Sequence, residues 1–279
     1  MTDEPTADLH LHTTFSDGTE TPERVLEMAR QAGVSAVAIT DHDTVDGMAR
    51  SSAAAAACGI ELLPGIEMSS CSRQGVEVHV LGFLFDATHP TLTQHVAEQK
   101  ARRIARIHET VKRLQRVGVT IQAEEVLQVA GEGTVGRPHV ARVLLKHGYV
   151  SSVSEAFSRY IGTNHPGFVP GSTLSPAHII GVIRAAGGIP VLAHPIYLKC
   201  DPLIEELAQE GLLGLEVYHA CHPPETVRHY EQIADRLKLL KTGGSDFHGD
   251  IKEGQPIGSV KLPYALVEAL KQWKTTSVP

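Results

Sequence analysis

The sequence predicts an α/β barrel of about seven strands, with a block of helices inserted between two of them. Three observations carry this reading. Short apolar runs recur in both halves of the 279-residue chain, capped helical segments fill most of the gaps between them, and residues from about 89 to 160 break the alternation with helix alone. At 42% hydrophobic residues the chain has enough apolar material for one large core.

The first run, ADLHLHTTFSDGT over 7–19, alternates so that His10 and His12 share one side of a strand while Leu9 and Leu11 take the other. TPERVLEMARQAG then supplies a Thr cap, a first-turn Pro and Glu, and Gly33 as a stop, which predicts a helix over about 22–32. SAVAIT (35–40) reads as the second strand and TVDGMARSSAAAAACG as the second helix. IELLPGIEMS (60–69) and VEVHVLGFLF (76–85) read as the third and fourth strands. A long helix over about 90–117 follows, with Ile104, Ile107, Val111 and Leu114 on one stripe, and then AEEVLQVAG, RPHVARVLLKHG and SVSEAFSRYIG. Strands at 189–193, 214–218 and 239–243 then alternate with the helical patterns SPAHIIGVIRAAGG, DPLIEELAQEG and PPETVRHYEQIADRL. The barrel is therefore expected over 1–88 and 165–279, with 89–164 as an inserted helical lid that binds substrate.

A formal net charge of −7 argues against a surface built to grip duplex nucleic acid. No apolar run reaches the roughly 18 residues of a membrane span, and the N-terminus lacks a signal-peptide pattern, so a cytoplasmic protein without a membrane partner is expected. Cys58, Cys71, Cys200 and Cys221 are scattered and read as reduced thiols. The 16 histidines matter by position. His10 and His12, Asp17, the Asp41–His42–Asp43 group, Glu67, His194, Asp246 and His248 fall at or just after strand ends, and His79 falls within a strand. A parallel barrel gathers its strand ends at one mouth, where these groups exceed what one ion takes; two or three ions of Mn, Fe or Zn type suit imidazole and carboxylate without cysteine. His219 and the histidines of helices and linkers read as structural, and the basic run KARRIARIHETVKRLQR as a solvated helix face, with RNA contact as the alternative.

Taken together, DLHLHTTFSDGT, ITDHDT, GIEMS, VHVLGF, LAHP and GSDFHG resemble the successive motifs of the PHP (polymerase and histidinol phosphatase) family of metal-dependent phosphoesterases. The long helical insertion before GFVP is similar to the subgroup containing 3′,5′-nucleoside bisphosphate phosphatases and 5′-to-3′ exoribonucleases. The resemblance covers almost the whole chain. It implies a distorted (β/α)7, TIM-barrel-like fold and a site for three divalent ions, with manganese ahead of iron or zinc. Motif by motif, it implies one ion on His10, His12, Glu67 and Asp246, a second on shared Glu67 with His79 and His194, and a third on Asp17, His42 and His248. Asp41 would orient a histidine, and His222 in YHACHPPE would contact phosphate or protonate a leaving group, an ordinary loop histidine being the alternative.

Three such ions and three carboxylates leave a charge of about +3 in the mouth, a match for a phosphate dianion. The expected reaction is hydrolysis of nucleotide phosphomonoesters by metal-activated hydroxide, with 3′-phosphate removal from 3′,5′-bisphosphates first and short 5′-phosphorylated RNA second. Arg137 and His139 stand at a helix N-terminus in GRPHVARVLL and would hold a second phosphate, with capping as the structural alternative. A histidinol-phosphate phosphatase and an amide- or lactone-cleaving amidohydrolase are the competing readings. The latter enzymes usually bridge their metals with a modified lysine, and no Lys occupies an expected strand end here.

Overall fold

The computed structural model describes residues 4–251 and 254–277. Strands β1 (Thr6–Leu11), β2 (Val34–Ile39), β3 (Glu61–Cys71), β4 (Glu77–Phe83), β5 (Ile189–Leu192), β6 (Gly214–His219), β7 (Leu240–Gly244) and β8 (Leu262–Pro263) form one sheet in the order β7-β6-β5-β4-β3-β2-β1-β8. The two edges meet: Leu11 bridges Phe247 in parallel, and the His12 N–H donates to the Phe247 carbonyl at 2.9 Å. The result is a nearly closed, TIM-barrel-like α/β fold.

Helices α1 (Pro22–Gln31), α2 (Met48–Cys58), α3 (Pro90–Arg116), α4 (Ala123–Ala130), α5 (Arg137–Lys146), α6 (Val153–Ala156), α7 (Pro176–Ala185), α8 (Asp201–Gln209), α9 (Pro224–Leu237) and α10 (Tyr264–Ser277) complete the chain. The start of α1 follows the capping chemistry of its sequence, since Thr21 Oγ1 accepts the Arg24 N–H and Pro22 occupies the first turn. Pro and Ser do the same for α7, where Ser175 Oγ accepts the His178 N–H.

The strand pattern departs from an all-parallel barrel at β4, which pairs antiparallel with both β3 and β5. Only residues 72–76 join β3 to β4, closed by the Ser72 N–H to the Val76 carbonyl (2.8 Å) and Gly75 at φ 79°. A parallel crossover needs a dozen residues or more, so a link this short makes a hairpin. The reversal brings the start of β4, with His79, to the mouth rather than its end. Strand β8 and helix α10 were not anticipated from the apolar pattern; β8 is two residues long and pairs antiparallel with β1.

The inserted helices have their own core, in which Ile107, Val111 and Leu114 of α3 pack on Val126, Val140, Leu144 and Ile161. The first turns of α3 belong elsewhere, because Leu92 and Val96 join the barrel-side cluster with Ile179, Ile180 and Ile183 of α7. Helix α3 therefore ties the two cores together and is positioned to carry side chains from the insertion to the mouth.

Candidate metal centre

Each expected ligand reaches the mouth for a local reason. His10 on β1 and His12 just after it alternate with Leu9 and Leu11, so the leucines enter the core while both imidazoles, fully buried, face inward. Glu67 and His79 share a face diagonally across the β3–β4 pair, where Ser69 lies opposite His79. Asp43, His194 and Asp246, all at strand ends, have φ of 52°, 26° and 54°, a region that non-glycine residues occupy at a cost of about 1–3 kcal/mol and that clusters at functional sites.

Glu67 is the hub. Its Oε2 is 3.2 Å from His10 Nε2, 3.1 Å from His12 Nε2 and 3.2 Å from His42 Nδ1. Its Oε1 is 2.9 Å from both His79 Nδ1 and His194 Nε2. One carboxylate has about four lone-pair directions and cannot satisfy all of these rings. Among the described residues, His12 Nε2, His42 Nδ1, His79 Nε2 and Asp17 Oδ1 are buried without a hydrogen-bond partner.

Around this hub the donors fall into groups. Asp246 Oδ1 is 3.5 Å from His10 Nε2 and 3.4 Å from His12 Nε2. Asp17 lies 3.8 Å from His12 Nδ1 and from His42 Nε2, and 3.4 Å from His248 Nε2. Donor atoms within 4.8 Å of one another join His12, Asp17, His42 and His248; His42, Glu67 and His79; His10, Glu67 and His194; and His10, His12 and Asp246. Buried ring nitrogens that converge on carboxylates without hydrogen-bond geometry fit divalent cations, and the N/O donor set without sulfur suits Mn, Fe or Zn.

The same crowding governs protonation. Burial opposes ionisation of Glu67, yet the imidazoles of His42, His10 and His79 hold its carboxyl well below the usual range. Burial likewise opposes charge on His12 and His79, but Asp246 and Glu67 raise the first to about 9, and Glu67 with Glu77 raises the second to about 10. Burial wins at His42, which falls to about 3.

Two further residues join the centre that the sequence reading did not single out as ligands. Glu216 is fully buried; its Oε1 accepts the His10 Nδ1–H at 2.8 Å and its Oε2 accepts the His194 N–H at 2.6 Å, leaving His10 Nε2 for an ion. His219, read as structural, groups with His10 and Glu216 and lies 3.4 Å from Asp246 Oδ2. An acid inside the buried strand LEVY was the available signal, since such a residue needs a partner.

The other expected site residues are placed differently from one another. Asp41 does not touch a histidine: it accepts from the Thr13 N–H (2.8 Å), the Thr13 hydroxyl (2.7 Å) and the Ser16 hydroxyl (2.6 Å), pinning the turn after β1, and only Ser16 reaches His12 Nδ1, at 3.4 Å. His222 stands behind His219, with ring centroids 5.3 Å apart, and its Nδ1–H donates to the Val217 carbonyl at 2.8 Å. Arg137 bonds Glu77 Oε2 at 2.7 Å and lines a cleft with Asp17, His42, His79 and Arg106. His139 does not line that cleft but an adjoining one with Ser16 and Arg142; it is buried, and its Nδ1 accepts the Gly136 N–H at 3.0 Å, as the capping alternative expects. The basic helix face is also only partly solvated. Arg103 turns inward to Asp43 Oδ2 (2.6 Å) and Ser69 Oγ (2.9 Å), and Arg106 lines the cleft.

Comparison with known proteins agrees with this geometry. A family model for the PHP domain matches residues 8–160. A 5′-3′ exoribonuclease of Haemophilus influenzae is 34% identical over 246 residues, covering 86% of this chain and 89% of its own. A 3′,5′-nucleoside bisphosphate phosphatase of Chromobacterium violaceum is 32% identical over 258 residues, 90% of each chain. Among solved structures, a protein of Bifidobacterium adolescentis assigned to the metal-dependent phosphoesterases superposes with a TM-score of 0.89 at 34% identity, over 95% of both chains.

Proposed function

Because the chain belongs to the PHP domain family and is a metal-dependent phosphoester hydrolase, we propose that its mouth removes phosphate from nucleotides, with the 3′-phosphate of 3′,5′-nucleoside bisphosphates as the first choice. The observation that carries this reading is Glu67, one carboxylate set among five converging imidazoles beside an arginine-lined cleft. Relatives named for bisphosphate phosphatase and exoribonuclease activity support the nucleotide class.

In this reading His10, His12, Glu67 and Asp246 hold one divalent ion, Glu67 with His79 and His194 a second, and Asp17, His42 and His248 a third, with manganese as the first candidate. Bound there, such ions would supply a water nucleophile usable at neutral pH and positive charge for the phosphoryl oxygens. The chain's own groups do the positioning. Glu216 fixes the His10 ring and the backbone before His194, and Asp41 fixes the turn that carries Asp17. Arg137, oriented by Glu77 and lying near the Phe157 and Phe168 rings, offers its remaining N–H groups to the phosphate that is not cleaved. His219, beside Asp246, is nearer to the reacting phosphate than His222.

The test is phosphate release by the manganese-loaded protein across AMP, adenosine 3′,5′-bisphosphate, histidinol phosphate, short 5′-phosphorylated RNA and an N-acyl amide. The bisphosphate should have the highest kcat/KM. Amide cleavage without phosphate release would overturn the proposal.

A further inference from the structure

We propose that His95 on α3 and His178 on α7 hold a late transition-metal ion of zinc type, separate from the mouth, that pins the inserted helices to the barrel. Neither residue belongs to the phosphoesterase site, and the ion does not depend on that reading.

Histidines away from the mouth divide by their partners. His147 and His229 lie against carboxylates, Glu125 at 2.9 Å and Asp201 at 2.7 Å. His95 is different: it is only 5% exposed, and among the described residues its Nε2 is buried with no hydrogen-bond partner. A buried polar atom in that state is costly and calls for an occupant. The ring beside it is that of His178, with centroids 5.6 Å apart and planes inclined at 36°. Burial lowers the His95 pKa, so at neutral pH its ring is uncharged and has a lone pair to give.

The spacing suits two ligands on one ion. An imidazole nitrogen about 2.0–2.1 Å from zinc puts its ring centroid about 3.2 Å from the metal, and two such rings at an angle of about 110–120° have centroids about 5.2–5.5 Å apart. The observed 5.6 Å lies close to that range. Glu98, three residues along α3 and so on the same face as His95, is exposed; by turning from Gln94 Nε2, 3.0 Å away, it can supply a carboxylate oxygen, with water completing the four positions.

The donors also choose the metal. The mouth mixes imidazole with several carboxylates, whereas this pair is imidazole first, and at such a site affinity climbs from manganese, the weakest of the first-row divalent ions, toward copper and zinc. Manganese in the mouth would leave the pair open. The location gives an ion something to hold. Leu92 and Val96 of α3, on either side of His95 in sequence, share a core with Ile179, Ile180 and Ile183 of α7, and Ser175 Oγ caps the turn that carries His178. Farther along α3, Arg103 and Arg106 line the cleft at the mouth, so an ion here would fix the root of the helix that delivers them.

Zinc uptake by the whole 279-residue chain tests this, comparing wild type with His178→Ala, a change at an exposed position that leaves the core intact. Both proteins, first stripped by a chelator, would be dialysed against a series of free zinc concentrations and the zinc per chain counted; ions in the mouth are common to both and cancel. Wild type should take up one ion more per chain than His178→Ala, and zinc should raise its unfolding midpoint further. Anomalous scattering at the zinc edge from crystals of the loaded protein should place that ion about 2.0–2.1 Å from His95 Nε2. Equal uptake by the two proteins at every concentration, or anomalous density in the mouth alone, would overturn the site and leave an ordinary water between the rings. None of these readouts uses phosphate release, so the site stands or falls separately from the phosphoesterase reading.

Discussion

Glu216 separates two kinds of residue in the proposed site, those that would hold an ion and those that would aim the holders. Its two oxygens fix His10 through Nδ1 and His194 through the backbone N–H, and both partners sit against Glu67. Groups in this position typically change metal affinity or activity by about 10–100-fold. Glu216→Ala should therefore lower bound metal per chain after dialysis and reduce kcat by that order; full occupancy by elemental analysis would refute the role. Asp43 makes a different prediction. Buried and paired with Arg103, it also accepts the Ser69 N–H at 2.9 Å. Asp43→Ala leaves that guanidinium uncompensated and should cost about 3–5 kcal/mol in urea unfolding, and Asp43→Ala combined with Arg103→Leu should recover much of the loss. That the expected ligands would meet at one mouth was legible in the sequence because they cluster at strand ends, and a period-2 pattern fixes which way they face. Glu216 was not, and for Asp43 only its place at a strand end was, because their partners lie 206 and 60 residues away.

Elements translate that local chemistry into position, and the barrel seam is where this is tightest. Asp8, on the same face of β1 as His10 and His12, accepts the Ser245 N–H at 2.9 Å and the Gly258 N–H at 3.0 Å, tying β1 to the chain that follows β7. Gly244 lies against it: a Cβ there would stand 2.5 Å from both the Cβ and the backbone nitrogen of His10. Backbone cannot swing away as a flexible side-chain end does. Gly244→Ala should then cost about 1–3 kcal/mol of stability and weaken metal binding as well, because relief requires His10 to move. Gly181→Ala, in a helix with open space around its Cβ, is the control and should not weaken binding. The seven longer strands were readable from apolar runs, each within about two residues. The reversal of β4 was not, since it depends on the length of one hairpin link, and neither was β8, whose two residues carry no periodic signal. The basic stripe of α3 misled in part: Gln99, Arg103 and Arg106 recur at helical spacing on the face beside the apolar stripe, so they point inward while Lys100 is half-buried and Arg102 exposed.

At the scale of the whole molecule, the mouth couples metal, protons and folding. Consider the chain stripped of ions by chelation. His12 and His79 then have folded-state values raised to about 9 and about 10, above the ordinary 6.5, despite a burial penalty that acts the other way. A raised basic group contributes stability that is fully present below its unfolded value and disappears as pH climbs through the folded one, so the stripped protein should lose stability between about pH 6.5 and 10. Metal reverses the trend. Ion binding needs these imidazoles neutral, so affinity rises with pH, and saturating metal adds stability by mass action, about 2.7 kcal/mol per site at a hundredfold excess over Kd. Thermal unfolding of stripped and manganese-loaded protein, measured in parallel from pH 6.5 to 9.5, should give midpoints that diverge as pH increases. Parallel curves would mean that His12 and His79 do not exchange protons for metal, and the assignment of both as ligands would fall with them. The prediction belongs to no single residue, because Glu67 faces both rings and the barrel must close for His12, just after β1, to lie near Asp246 after β7.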